Sequence, residues 1–160
     1  LNGGTNPEDY AISTNASSAE GSNTAYMNGT APTSTTFIAG LDGDTNVVGD
    51  SYIALLFASV DGISKVGYFD GQGSDMTVTF GFQPRFLMVK RRDDAGDWNV
   101  YDTTRGLDAT SNDKELRLND TTAESNHEVG EPTSTGFTFA CGGEHDTCSV
   151  GKTFIYYAHA

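Results

Sequence analysis

The alternation of apolar and polar side chains is clearest in the middle of the chain, between residues 81 and 102. Residues 86–89 are all apolar, so both faces of a strand at this place are expected to be covered. Residues 93–96 supply turn chemistry, and in the segment that follows Trp98 and Val100 share one face. The pattern predicts a central β-hairpin, with Trp98 and Val100 on an inward-looking face.

Shorter stretches of the same kind flank this hairpin. Residues 51–58 are apolar on both faces, which predicts a buried strand, and residues 35–41 predict a short strand before the turn at residues 42–46. The other predicted strands are residues 64–69, 76–80, 114–118, 136–141 and 152–158. The pattern indicates an all-β fold: an antiparallel β-sandwich of about eight to ten strands, jelly-roll-like, with long polar loops.

The composition is typical of a protein built from strands and turns. The chain of 160 residues contains 19 glycines and is 36% hydrophobic and 11% aromatic. It has no amphipathic run of helical length, whereas β-branched and aromatic residues come in short bursts. This length fits one domain, or one and a half copies of a smaller repeating unit.

The charge excludes several classes of partner. The chain has 22 acidic and 9 basic residues, which gives a formal net charge of −13. Binding to nucleic acid or to anionic lipid requires a basic surface, so we expect neither partner. No apolar window of about 18 residues occurs, so no membrane span is predicted. The chain starts without Met or a signal peptide, and we expect it to be a piece of a longer protein.

The end of the chain repeats its beginning. The sequence Pro-Thr-Ser-Thr occupies residues 32–35 and again residues 132–135. A repeat of this length indicates tandem domains. Residues 1–58 would be the trailing half of one repeat, which packs with or completes the next copy, and residues 59–160 a complete β-sandwich repeat. The alternative is a single sandwich of two similar sheets. The other matching pairs are Asn15 with Asn119, Ala19 with Ala123, Glu20 with Glu124, Phe37 with Phe137, Val48 with Val150, Ile53 with Ile155 and Ala58 with Ala160.

Candidate catalytic groups are numerous, but nothing in the sequence pairs them. A glycosidase needs two acids that face each other across a cleft. The acidic pairs here lie mostly in turn sequences, where Asp bonds the local backbone. A Gly-x-Ser-x-Gly nucleophile elbow and a phosphate-binding glycine loop are both absent. We therefore predict no enzymatic activity and no cofactor. The acidic pairs are Asp42 with Asp44, Asp93 with Asp94, and Glu128 with Glu131.

Two loops invite a metal interpretation. Residues 42–46 open like a calcium-binding loop, but Val47 and Ile53 stand where that loop needs Gly and Glu, so a hairpin tip is favoured. Cys141 and Cys148 bracket another loop. A disulfide would staple it, two free thiols are an alternative, and His145 with both thiolates could hold a metal. The spacing is unlike a usual zinc knuckle, and we predict no metal site.

A possible ligand site lies on the central hairpin. Trp98 and Tyr101 could stack on the apolar face of a sugar while Asp102 and Arg105 bind its hydroxyls. The alternative is structural, with Trp98 in the core and an Asp102–Arg105 pair that pins the following loop. The alternation favours the structural interpretation, and Trp98, Tyr101, Asp102 and Arg105 form the candidate binding set.

Several motifs follow one another along the chain: Tyr52-Ile53-Ala54-Leu55-Leu56-Phe57, Gly81-Phe82-Gln83-Pro84-Arg85-Phe86, Lys90-Arg91, Gly96-Asp97-Trp98, Asp102 with Arg105-Gly106, Gly136-Phe137 and Phe154-Ile155-Tyr156. With these motifs the chain resembles a repeat domain of tailed bacteriophages, common in tail fibres and related virion surface proteins of marine and cyanobacterial phages. The resemblance covers residues 50–160 closely and residues 1–49 as a trailing half-copy, and it departs at the loop between the cysteines.

This resemblance implies a non-enzymatic structural or adhesion module on the exterior of a phage particle, in a tail fibre or a capsid decoration. Its partners would be other virion chains and copies of itself, as a trimer in the case of a fibre, and it could contact a glycan of the host surface. The alternative is a carbohydrate-binding module attached to a glycan-degrading protein, and a metal-dependent hydrolase comes third.

Overall fold

The computed structural model describes residues 6–108, 112–141 and 147–160. Almost all regular structure in these ranges is β, with one short 3-10 helix at Pro7–Asp9. The strands are β1 (Tyr10–Ala11), β2 (Gly21–Ser22), β3 (Ser64–Asp70), β4 (Met76–Thr79), β5 (Phe86–Arg91), β6 (Trp98–Asp102), β7 (Asp113–Arg117), β8 (Ser125–His127), β9 (Gly130–Thr133), β10 (Gly136–Phe139) and β11 (Thr153–His159).

The largest sheet has six antiparallel strands in the order β3-β11-β5-β6-β7-β8. The predicted central hairpin is confirmed: β5 pairs with β6 from Phe86 opposite Asp102 to Lys90 opposite Trp98. Strand β11 lies between β3 and β5 and is hydrogen-bonded to both. The last strand in sequence is therefore an interior strand of the sheet. The sheet is complete only when the C-terminal residues have paired with β3 and β5.

A second sheet of three strands, β4-β10-β9, packs on one face of the large sheet. The ring of Phe69 on β3 lies 4.8 Å from Phe139 on β10 and 5.2 Å from Phe154 on β11. Gly67 makes room for Tyr156 in this core, because a Cβ at Gly67 would lie 2.6 Å from the tyrosine hydroxyl. The antiparallel, all-β sandwich predicted from the sequence is confirmed.

The other face of the large sheet is covered by the N-terminal part of the chain. Trp98 and Val100 lie on this face and are buried, whereas Tyr101 points into the core between the sheets. The prediction that Trp98 and Val100 face inward is therefore correct for their burial. It is wrong for the face of the sheet, because both side chains lie on the face away from the second sheet. The Trp98 Nε1–H donates to the Ser13 carbonyl at 2.8 Å, and the Lys90 Nζ donates to the Ser17 carbonyl at 3.3 Å.

Two predicted strands are absent from the described structure. Residues 35–41 and residues 51–58 form no ladder with any neighbour, and most of their apolar side chains are exposed. A strand needs a neighbouring strand for its backbone N–H and C=O groups, and among the described residues no strand pairs with these segments. The prediction that residues 51–58 are buried on both faces is thus wrong for this chain.

Candidate functional site: an open apolar cleft

An open cleft of about 940 Å³ lies between residues 7–58 and the outer face of the large sheet. Residues 52–58, called the apolar strip below, form one of its walls. Ile155 on β11 and Val66 on β3 belong to the opposite wall, and Ile12, Phe37 and Ile38 contribute further apolar surface. The volume lies in the range of protein ligand pockets, but its lining comes largely from one irregular segment.

The apolar strip is anchored at its end and exposed along its length. The Ala58 carbonyl accepts a hydrogen bond from Ser64 Oγ at 2.8 Å, and Ser59 Oγ accepts one from the Val66 N–H at 3.1 Å. The Phe57 ring lies 4.9 Å from Tyr157 of β11, while Leu55 and other strip residues remain largely exposed. A contiguous apolar surface of this kind typically marks a protein–protein contact.

The polar rim of the cleft is held together by side-chain hydrogen bonds. Tyr26 donates to Asp44 Oδ2 at 3.1 Å, and Asn23 donates to Asp42 Oδ2 at 3.0 Å. Asp42 Oδ1 accepts the Asp44 N–H at 2.8 Å, and these bonds lower the pKa of Asp42 because they favour its charged form. The hydrogen bond to Asp44 raises the pKa of Tyr26.

Residues 42–46 therefore use their carboxylates to build a turn rather than a calcium loop. Within the described ranges, no group of three or more His, Cys, Asp or Glu side chains is placed to hold a metal ion. The predicted hairpin tip is also wrong, because the segments on either side of this turn are not paired strands.

The tentative sugar-binding set is split by the structure. Asp102 and Arg105 do meet: the Arg105 N–H donates to Asp102 Oδ1 at 2.9 Å, and the guanidinium pairs with the same carboxylate. Burial acts to raise the pKa of Asp102, but the hydrogen bonds and charge of Arg105 outweigh it and the pKa is lowered. Trp98 and Tyr101 are buried on opposite faces of β6, so they offer no shared stacking surface to a sugar.

A buried polar network beneath this hairpin was not foreseen from the sequence. Tyr101 donates to Glu115 Oε2 at 2.8 Å, and Arg117 Nε donates to Glu115 Oε1 at 2.9 Å. Burial raises the pKa of Tyr101 well above its usual range. Asp113 accepts the Val129 N–H at 2.8 Å, and burial raises its pKa as well. The only signal was the two-residue spacing of three charged side chains on β7, a pattern that normally indicates a solvent face.

The same strand shows why the signal misled. Leu116 and Leu118, whose shared face would be expected to pack inward, are exposed, and the charged face of β7 is the one that turns to the core. The network ties β6 to β7 through side chains. Tyr101 and Glu115 are enclosed in the core, so this network is inaccessible to a substrate.

The structure joins Cys141 and Cys148 in a disulfide, as the staple interpretation expects. Bonded sulfurs leave no thiolate for a metal. His145 and the rest of residues 142–146 lie outside the described part of the chain. The Cys141 N–H donates to Asp75 Oδ1 at 2.8 Å, so the bridge also fixes the loop before β4.

These features define a β-sandwich module with an open apolar cleft on the outer face of its larger sheet. A family model described as a domain of unknown function (DUF7483) matches residues 3–160, so the chain belongs to this family. No curated protein and no solved structure matches it. Among the described residues, no helix is long and apolar enough to cross a membrane. The family description names no activity, and the phage assignment stays a prediction that depends on the resemblance.

Proposed function

We propose that this chain is a non-enzymatic structural module on the exterior of a phage particle, and that it acts through protein–protein contacts of its apolar strip. The exposure of Ile53, Leu55 and Leu56 is the observation that carries the proposal. Burying such side chains against a partner is favourable by about 1.5–3 kcal/mol each, an ample driving force for assembly.

The charge supports the same role. A net charge of −13 keeps the surface hydrated and repels non-specific contacts. The tail-fibre or capsid-decoration location is taken from the resemblance, and copies of the chain or other virion chains are the proposed partners.

The test is the oligomeric state of the full chain by light scattering over a range of concentrations. We expect association of the wild type and a monomer for the double variant Leu55→Asp/Leu56→Asp. Val48→Asp/Val150→Asp is the matched control, because it adds the same two charges at exposed apolar residues outside the strip and should leave association unchanged. A wild type that stays monomeric at every concentration would argue against association between copies of this chain by this surface and would leave another virion chain as its partner.

The cleft also keeps the carbohydrate-binding alternative open. Tyr10 is exposed at the cleft, and Tyr26 stands beside Asp44 on the same lining. An aromatic ring next to a carboxylate is the usual arrangement for binding a sugar face and its hydroxyls. Glycan-array binding that is lost in Tyr10→Ala and Tyr26→Ala, by a chain that does not associate, would establish this alternative instead.

A further inference from the structure

The two halves of the internal repeat differ in the burial of their apolar side chains. Three buried apolar residues near the end of the second copy have exposed counterparts in the first copy. The counterparts follow from the matching pairs Phe37/Phe137, Ile53/Ile155 and Ala58/Ala160. Exposed fractions are 0% for Phe137 against 47% for Phe37, 3% for Ile155 against 92% for Ile53, and 0% for Ala158 against 76% for Leu56.

The register identifies what the strip corresponds to. Aligning Ile53 with Ile155 places residues 52–58 on residues 154–160, which are the last six residues of β11 and the residue after it. Strand β11 is apolar on both faces because it is covered on both faces, and it is hydrogen-bonded on both edges, to β3 and to β5. The strip has the same two-sided apolar character and therefore requires the same surroundings.

This chain cannot provide those surroundings. Its own β3 and β5 are already paired with β11, from Thr153 opposite Asp70 to His159 opposite Ser64 on one side and from Phe154 opposite Arg91 to His159 opposite Phe86 on the other. The strip therefore cannot complete the copy that follows it in sequence. A second β3–β5 pair with an empty interior position is needed.

We propose that residues 1–58 carry the closing strands of another copy of this domain, and that residues 52–58 insert between the β3 and β5 of that copy. The inference deepens the proposed function, because it names the partner of the apolar strip. The partner is a module of the same fold, and the strip would join it by main-chain hydrogen bonds as well as by apolar packing.

The side chains of the strip also specify the partner. Ala54 stands at the position of Tyr156, and Leu56 at the position of Ala158. The large side chain on the core face therefore lies two residues later in the strip than in β11. In this chain, Gly67 leaves its space to Tyr156. Alanine is much smaller than tyrosine. An interior strand position that accepts Ala54 instead of Tyr156 therefore has room for a larger residue in place of Gly67, and we expect the natural partner to carry one.

The experiment keeps the full chain and adds residues 59–104, which hold β3 to β6, in front of residue 1. A second version carries Gly67→Leu in the added segment only, to fill the space over Ala54. The readout is hydrogen–deuterium exchange of the amides of residues 51–58. The control is the full chain with a shuffled version of residues 59–104 in front.

In the full chain and in the shuffled control, we expect the amides of residues 51–58 to exchange rapidly, because no backbone partner covers them. In at least one of the two extended proteins they should exchange at least a hundredfold more slowly, as those of β11 do. Exchange that stays fast in both extended proteins would overturn the inference. That result leaves the proposed function standing if Leu55→Asp/Leu56→Asp still abolishes association of the full chain, whereas protected amides beside a full chain that never associates would support the inference and exclude only association between copies of the unextended chain.

Discussion

The two copies that the sequence predicts, residues 1–58 and residues 59–160, share an apolar pattern and differ in what surrounds it. In residues 59–160 the pattern lies in two sheets, and Phe137 and Ile155 have neighbours on every side. In residues 6–58 the same pattern lies over the outer face of one sheet, and most of its apolar groups stay in solvent. The apolar pattern indicates which faces of a segment need burial, whereas its neighbours decide whether the segment forms a strand.

The largest expected difference between the copies is at the matched phenylalanines. Phe137→Ala opens a cavity between the two sheets and should cost about 3–5 kcal/mol of unfolding free energy. Phe37→Ala removes a half-exposed ring and should cost less than about 1 kcal/mol. Urea unfolding of both variants measures the difference. Equal losses would mean that Phe37 is as well packed as Phe137, contrary to the structure.

The disulfide gives a smaller difference, since only the second copy has cysteines. The disulfide closes a loop with a sequence separation of 7. Removing a disulfide that closes a loop of this length is expected to lower the free energy of unfolding by about 2 kcal/mol. Cys141→Ala with Cys148→Ala should show this loss in urea unfolding, and dithiothreitol should produce a similar loss in the wild type. The double variant serves as the control, because reductant must leave its stability unchanged. A wild type insensitive to reductant would contradict the prediction.

The smallest effect concerns Lys90, which links the two copies through the Ser17 carbonyl. Burial lowers the pKa of Lys90 from its ordinary 10.5, although the charge of Asp97 acts in the other direction. Between the lowered pKa and the ordinary one, the unfolded chain binds a proton that the folded chain has lost, so stability rises with pH across that window. Lys90→Met should abolish this rise. The check is the unfolding temperature of both proteins from about pH 8 to about pH 10, because tyrosines that titrate in this range do so in both proteins and cancel in the comparison.

The reverse outcome is equally informative for Lys90. Parallel pH profiles for wild type and Lys90→Met would show that water reaches the ammonium group and that residues 6–20 do not seal the outer face of the sheet. The first copy would then be less closely attached to the second than the hydrogen bond to Ser17 indicates.

The sequence predicted the fold of residues 64–159 well because the alternating pattern there is satisfied by real neighbours. It placed the β5–β6 hairpin and the closing strand correctly. It could not reveal β8 and β9, since Ser125–His127 and Gly130–Thr133 are polar and are held mainly by their backbones. It also misjudged β7, where Glu115 is buried because the hydroxyl of Tyr101 and the guanidinium of Arg117 satisfy its charge.

The candidate site was harder to predict than the fold. The sequence shows correctly that residues 51–58 are apolar on both faces. A period of two residues, however, contains no information on whether strands of the same module lie beside this segment. Trp98 illustrates the same limit: its burial follows from its size and apolar character, while the choice of face depends on residues 6–20, far away in sequence.

The short connection between the apolar strip and β3 has a mechanical consequence. Only residues 59–63 separate them, and the Val60–Ser64 bridge closes this connection into a turn. In an array built by strand insertion, tension would pass from the interior strand of one module directly into the first strand of the next, with no slack to extend. The strip would end beside the place where β3 begins, as His159 ends beside Ser64, so such a load would open the hydrogen bonds between these two strands one by one, and the array would yield at its closing strands under pulling.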